Sequence, residues 1–380
     1  MRVLVIDHYA GAESDRGVYR ALGMSGGLDV TLLVPEQWND GFTLQNNEPE
    51  GSSALTVVSS RVLFQGKPHR AMSRRIPSLL RTTSYDIVVL NAEPESYLAA
   101  QAAMYCSFLS PRSKVVVMSW RNIDPSIEGY PYKGALLHTW GERYVLRRGT
   151  WVVAHTPTAE SIFLKNGHRA VVVIPPAVDL NLFRPDVEPR MGARSNDGMF
   201  VVGYVGRFTR EKGIDVLFSA IEKSGVPCRV ILVGAGPDEA RLRQISDDLG
   251  LGAFVTWAGS CAHCQLPGWL GSMDALVLPS VTTPTWKEQF GRVLIEAMAC
   301  GVPVVGSDSG EIPRVIGDAG VVFREGDAVQ LAQVFRTLAD DAALRSMLKH
   351  KGRLRVEQTF SVEVIAGMYR RLFDRILAKN

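Results

Sequence analysis

Short apolar, β-branched runs alternating with helical stretches constrain this chain more than any other feature. RVLVID (2–7), LDVTLLVP (28–35), LTVVSSRV (55–62), YDIVVLNAEP (85–94), KVVVMSWRN (114–122), TWVVAHT (150–156) and the start of AVVVIPPAVDLNLFRP (170–185) each read as a strand. Helices are expected over 95–109, 134–150 and 158–167, and 66–84 reads as helical in pieces, broken near Pro77. The β-branched content fits strands buried in a parallel sheet, and their repetition with helices means a doubly wound α/β unit.

Polar residues 186–198, with Pro and Gly and no pattern, interrupt this rhythm. It then restarts with FVVGYVGR, RVILVGAG, FVTWAG, DALVLPS, PVVGSD and VVF. Two domains are therefore expected: 1–185 together with 361–380, a linker at 186–198, and 199–360. A length of 380 residues fits two cores better than one. The final stretch, 361–377, is amphipathic, with Val364, Met368, Leu372 and Ile376 on one face.

Composition excludes several classes. No apolar run approaches the roughly 18 residues of a membrane span, and the five-residue apolar run near the N-terminus is too short for a signal-peptide core. A net charge of +3 without basic–aromatic interleaving gives no footing for nucleic acid. Five cysteines, an odd number, fit a reducing cytosol. Cys261 and Cys264 form a lone C-x-x-C around His263 with no second pair, which reads as ordinary loop cysteines.

The chemistry concentrates in PTWKEQFGRVLIEAMACG (284–301). Glu288 stands before a helix that starts near Arg292, Glu296 lies inside it, and Gly301 and Pro303 end it. Phe290-Gly291 lets backbone N–H groups approach a ligand at a helix N-terminus carrying roughly half a positive charge. An anion fits there, and the two carboxylates suit sugar hydroxyls. The competing reading is a surface helix with two solvated glutamates.

This stretch, with VGRFTREKGID (205–215), VGAGPDEARL (233–242), LVLPS (276–280) and DSGEIPRVIGDAG (308–320) in the same order and spacing, resembles the family-4 retaining glycosyltransferases of the GT-B fold. The resemblance covers nearly all of 150–375, and the first 120 residues match in outline. It implies two Rossmann-like domains facing a central cleft and a last helix that crosses back onto the first domain. The implied reaction is transfer from a nucleoside-diphosphate sugar to a hydroxyl acceptor, with retention of anomeric configuration, in cell-envelope polysaccharide, glycolipid or glycoside biosynthesis. No cofactor and no metal are expected; no D-x-D stands at a strand end, and Asp247-Asp248 falls on a helix.

Within that frame Arg207 and Lys212 are expected to neutralise the leaving diphosphate, with the helix N-terminus, and Glu288 to position the sugar. Donor contacts are expected from Gly11, Gly206, Gly234, Leu266, Phe290, Gly291, Arg292, Val293 and Glu296, the last on the ribose diol. Asp308 and Glu311 read as structural. The first domain departs from the family: its first loop, HYAGAE, has a single glycine, and Trp120-Arg121-Asn122 occupy the place of the usual histidine. His8, Asn122 and His155 are substitutes by position only. A non-catalytic sugar-nucleotide binder, a nucleotide-sugar epimerase and a phosphorylase are the alternatives, the last lacking any recognisable cofactor lysine.

One surface reading remains. Arg61, Lys67, Arg70, Arg74, Arg75 and Arg81 occur with no acidic residue up to Tyr85, and Met72, Ile76, Leu79 and Leu80 are expected to form an apolar face beside them. A basic amphipathic segment of this kind fits an anionic membrane surface. The expected location is cytoplasmic, with peripheral attachment to the inner membrane face and a lipid-linked or soluble acceptor.

Overall fold

The computed structural model describes residues 1–380 apart from 11–15, 40–43, 47–49, 52–53, 68, 126, 128–129, 131–134, 191–197 and 379–380. The chain forms two compact units, Met1–Ala177 with Val362–Asn380, and Val178–Ser361. Residues 178–190 bond within the second unit: Val178 N–H donates to the Phe360 carbonyl at 2.8 Å and Arg190 N–H to that of Gly268 at 2.9 Å.

In the first unit the strands are Arg2–Asp7 (β1), Asp29–Pro35 (β2), Thr56–Ser60 (β3), Ile87–Asn91 (β4), Lys114–Ser119 (β5), Gly149–Ala154 (β6) and Val171–Val173 (β7). They pair in parallel in the order β7-β6-β5-β4-β1-β2-β3, with Glu50–Gly51 antiparallel on the β3 edge. The helices are Gly17–Met24 (α1), Ile76–Thr82 (α2), Tyr97–Leu109 (α3), Leu136–Arg148 (α4) and Pro157–Lys165 (α5). Ser96 and Thr156 cap α3 and α5, their hydroxyls accepting from Ala99 N–H at 3.2 Å and Ala159 N–H at 3.1 Å.

Strand residues are apolar at every position because both faces are covered. Val3, Val5, Ile87 and Val89 meet α1 and the C-terminal helix Val362–Ala378, while Leu4, Ile6, Val88 and Leu90 meet α2, α3 and α4. The C-terminal helix thus returns to the first unit. Its buried stripe is Ile365, Tyr369, Leu372, Phe373 and Ile376, so Val364 and Met368 lie half-buried beside it and not at its centre. Two adjacent rows of this helix are apolar, and docking selects the bulkier one.

The segment 66–84 differs from its sequence reading. Val62–Leu63 and Met72–Ser73 pair as an antiparallel hairpin, and α2 follows with Pro77 in its first turn, where a missing N–H leaves no bond unmade. Ile76 and Leu80 are buried in the core under α2. The apolar row expected to face outward is therefore the row that packs the helix onto the sheet.

The second unit's strands are Phe200–Val205 (β8), Cys228–Val233 (β9), Val255–Gly259 (β10), Ala275–Leu278 (β11), Val304–Ser307 (β12) and Val321–Phe323 (β13), parallel in the order β10-β9-β8-β11-β12-β13. Helices Ile214–Ser224 (α6), Glu239–Asp248 (α7), Leu266–Leu270 (α8), Arg292–Ala299 (α9), Ile312–Ile316 (α10), Ala328–Asp340 (α11) and Ala342–Thr359 (α12) complete it. The chain moves outward from β8 to β10, then returns to place β11 on the other side of β8. That reversal makes a switch point between β8 and β11, where open α/β sheets bind ligands beyond their carboxyl ends.

Candidate functional site

The loops leaving β8 and β11 flank the switch point of the second unit and meet there. Lys212, ending the one-turn helix Arg210–Lys212 after β8, places Nζ 2.6 Å from Glu288 Oε2 on the loop after β11. Ser280 Oγ donates to the same carboxylate oxygen at 2.8 Å, and the Trp286 ring centroid lies 4.8 Å from Lys212 Nζ. Val281 N–H bonds the Glu211 carbonyl at 2.8 Å, tying the two loops by main chain. Glu288 is buried, which overturns the solvated-glutamate reading.

Glu288 is also held from behind. Gly310, after β12, has φ +57°, and a Cβ there would lie 2.0 Å from the Glu288 carbonyl oxygen. Only glycine permits both that conformation and that approach. Glu311 N–H donates to the same carbonyl at 3.3 Å, and its side chain pairs with Arg314 at 3.2 Å. Asp308 Oδ1 accepts from Glu325 N–H at 2.7 Å.

Gly206 and Gly234 end β8 and β9 and pack on each other. A Cβ on Gly234 (φ +140°) would stand 1.9 Å from the Gly206 carbonyl oxygen, so neither turn tolerates a side chain without shifting. The adjacent Arg207 is exposed, and its carbonyl accepts from Tyr204 Oη at 2.8 Å.

Helix α9 has Gly291 at its N-cap, in the left-handed conformation (φ +80°) and with no side chain of its own to cap the helix. The first-turn N–H groups at Arg292 and Val293 lie at that end, where the helix dipole is positive. The Phe290 ring does not line this end; it is buried edge-on against Phe360, with centroids 5.7 Å apart. Leu266, the first residue of α8, is buried as well.

Glu296 is buried on α9, its Oε1 2.9 Å from His263 Nε2 and 3.9 Å from the Arg292 guanidinium. Burial pushes its carboxyl up, but the His263 hydrogen bond and the Arg292 and His263 charges outweigh it, holding the group below the usual range. His263 was missed by the sequence reading, because the C-x-x-C around it drew attention to metal binding. Cys261 is half-buried and Cys264 exposed, both free, and no group of three metal-ligating side chains occurs among the described residues.

In the first unit the switch point lies between β1 and β4. Asp7 Oδ2 accepts there from Asn91 Nδ2 and Tyr19 Oη, each at 2.7 Å, and Oδ1 from the N–H groups of Tyr9 and Ala10. Gly11 lies outside the described residues. His8 is buried among the rings of Tyr9 and Trp38, neither ring nitrogen hydrogen-bonded among the described residues, and burial pushes it down to about 4. His155 is buried beside the Trp120 ring, with Nδ1 2.9 Å from the Ile174 carbonyl. Asn122 is buried next to Arg121, whose guanidinium bridges Glu95 at 2.7 Å and Glu142 at 2.6 Å.

Two doubly wound units, with cations, carboxylates and a helix N-terminus gathered at the second sheet's switch point, define a GT-B-type fold. Residues 190–355 match the family model of glycosyl transferases group 1. A D-inositol 3-phosphate glycosyltransferase from Arthrobacter sp. (strain FB24) is 33% identical over 220 residues, 54% of this chain and 51% of that protein. The chain thus spans about half the length of the curated relatives it matches. Sucrose-phosphate synthase from Thermosynechococcus elongatus shares the fold at TM-score 0.74 and 21% identity, covering 100% of both chains. HepE from Anabaena, solved with UDP-glucose, aligns at TM-score 0.72 and 20% identity, again over 100% of both chains.

Proposed function

We propose that the protein transfers a hexosyl group from a nucleoside-diphosphate sugar to a hydroxyl acceptor with retention of anomeric configuration. The observation that supports this most is the Lys212–Glu288 pair spanning the β8/β11 switch point, with Glu288 on the same loop–helix element as Glu296. Arg207, Lys212 and the α9 N-terminus offer positive charge for the diphosphate, with Gly206 and Gly234 letting main chain come close. Glu288 offers an acceptor for sugar hydroxyls and Glu296 one for the ribose diol. The base then lies toward the loop before α8, with Leu266 beneath it, and Phe290 contributes through its main chain.

The reaction breaks the bond between the anomeric carbon and the diphosphate oxygen and forms one to the acceptor oxygen. Charge grows on the departing diphosphate, so Arg207, Lys212 and the helix end act more strongly in the transition state than before it. The acceptor proton passes to a diphosphate oxygen on the same face, which gives retention without a covalent glycosyl–enzyme intermediate. Glu288, already paired with Lys212, positions the sugar and does not attack it.

Uridine-diphosphate sugars are the first donors to test, since the fold neighbour HepE was solved with UDP-glucose. An inositol phosphate is the first acceptor to test, given the name of the Arthrobacter relative. Thermal shifts with uridine-, guanosine- and adenosine-diphosphate sugars identify the donor, because a ligand of the native state raises stability. Sugar released or transferred from that donor supports the reading. Binding without release or transfer, over long incubation with acceptor, points to a non-catalytic sugar-nucleotide binder, and no shift with any donor removes the assignment.

A further inference from the structure

We propose that Arg241 is a positioning residue: it fixes segment 206–213, and with it Arg207 and Lys212, at the carboxyl edge of the second sheet. The diphosphate role of that segment rests on the reading given above, whereas its fixing by Arg241 follows from the geometry of the second unit. Arg241 lies in the first turn of α7, and its guanidinium reaches carboxylates on two different elements. Nε and Nη2 donate to the two oxygens of Asp238 at 2.8 and 2.6 Å, and Nη1 donates to Asp215 Oδ2 at 3.1 Å. A planar fork with several fixed donors makes both contacts at once, which the single ammonium of a lysine does not.

Each carboxylate stands at one end of the segment. Asp238 directly precedes α7, and its N–H donates to the Phe208 carbonyl at 3.1 Å. Phe208 N–H donates in turn to the Ala235 carbonyl at 2.9 Å, and a Cβ on Gly236 would lie 2.3 Å from the Phe208 carbonyl oxygen. The loop after β9 is therefore locked to the start of the segment. Asp215 sits in the first turn of α6, just past the other end. Between them the one-turn helix Arg210–Lys212 closes on the bonds from Lys212 N–H to the Thr209 carbonyl, at 3.0 Å, and from Gly213 N–H to the Arg210 carbonyl, at 3.1 Å. A single turn of this kind is marginal alone. The Val281–Glu211 main-chain bond holds it from the β11 side, and Arg241 holds it from the β9 side.

Charge gives Arg241 a second effect at the same place. Asp215 and Asp238 set two negative charges beside a segment whose proposed ligand is an anion. The Arg241 hydrogen bonds hold the Asp238 carboxyl below the usual range, so this group stays ionised, and the guanidinium offsets its charge. Without Arg241 both carboxylates would oppose a diphosphate.

Hydrogen exchange of the ligand-free chain tests the fixing. Arg241→Ala should speed exchange of the Lys212 and Gly213 amides about tenfold, while β8 and β9 stay within about twofold of wild type. Arg241→Lys should give most of the same increase, since it cannot bridge both carboxylates. Arg243→Ala, on the same helix but paired with Glu239 at 2.8 Å, should change nothing at Lys212 and Gly213. Arg241 and Asp215 are 31% and 39% exposed, so melting temperatures should stay near wild type.

Steady-state kinetics with the donor found by thermal shift tests the use. Arg241→Ala should lower kcat about tenfold and raise the donor KM by less. It should cost clearly less when Arg207 is already alanine, because its effect runs through the segment that carries Arg207. Unchanged exchange at Lys212 and Gly213 overturns the proposal whatever the activity. Faster exchange with wild-type kcat, or an undiminished loss in the Arg207→Ala background, overturns it as well. A wild type that turns over no donor sinks the transferase reading, and exchange then decides by itself whether Arg241 fixes the segment.

Discussion

Lys212 Nζ lies 2.6 Å from Glu288 Oε2, with the two side chains only 13% and 9% exposed, and the residues arrive from opposite sides of the β8/β11 switch point. A pair so placed keeps a cation and a carboxylate at one spot without net charge. A diphosphate can then draw on the lysine while the carboxylate stays free to accept from hydroxyls.

Removing one partner leaves the other charge buried. Lys212→Ala should cost about 3 kcal/mol of stability, since among the described residues Ser280 would then be the donor left on the Glu288 carboxylate. Lys212→Met combined with Glu288→Gln should cost clearly less than the two single changes added together. Chemical denaturation of the four proteins checks this, and strictly additive losses would show that the pair is not coupled.

Arg207 offers the contrast, because its side chain is exposed. Arg207→Ala should change stability by no more than about 0.5 kcal/mol yet lower kcat about a hundredfold. A rise in KM alone would mean that its contact is the same in ground and transition states, and the role assigned here would be wrong.

For Glu296 both donor affinity and acid stability are diagnostic. Glu296→Ala should weaken donor binding by on the order of 1.5–3 kcal/mol, measured by calorimetry, and His263→Ala by less. Burial opposes ionisation, but the His263 hydrogen bond and Arg292 hold the native carboxyl below its ordinary 4.5. Its contribution to stability is therefore present above pH 4.5 and is lost as pH falls through the native value. His263→Ala should flatten that acid limb. An unchanged donor affinity in Glu296→Ala would take this residue off the ribose.

Glu93 should behave with the opposite sign. Ser119 Oγ and Trp120 N–H donate to its two oxygens at 2.6 and 2.7 Å, but burial and then the nearby Glu95 raise its carboxyl from 4.5 to about 7, against the pull of Arg121. Between about 4.5 and 7 the native state holds a proton that the unfolded chain has released. Stability from this group is thus greatest in acid and falls as pH rises across that window. Glu93→Gln should remove that fall in urea titrations at successive pH values; an identical slope in wild type and variant would assign it to other groups.

The repeating units of the fold were legible because they rest on short-range patterns. β-branched runs between helices pointed to two parallel sheets, and the apolar stripe of Leu294, Ala297, Met298 and Ala299 placed the start of α9 near Arg292, where it lies. Both glutamates stood out for the same reason, since their loop and helix are contiguous in the chain. Periodicity also revealed an apolar row at Ile76 and Leu80, yet it could not say what that row would touch. Packing turned it inward and left arginines outside.

What only the tertiary structure decided is which distant residues share a site. Lys212 and Glu288 are separated by 76 positions and His263 and Glu296 by 33, and strand order, not local sequence, makes them neighbours. Gly310 looks like an ordinary turn glycine until the Glu288 carbonyl is seen against it. Backbone propensity acts within a few residues and can be read from a sequence. Pairing across loops depends on the order in which strands join the sheet, and that order is chosen by the whole buried core at once.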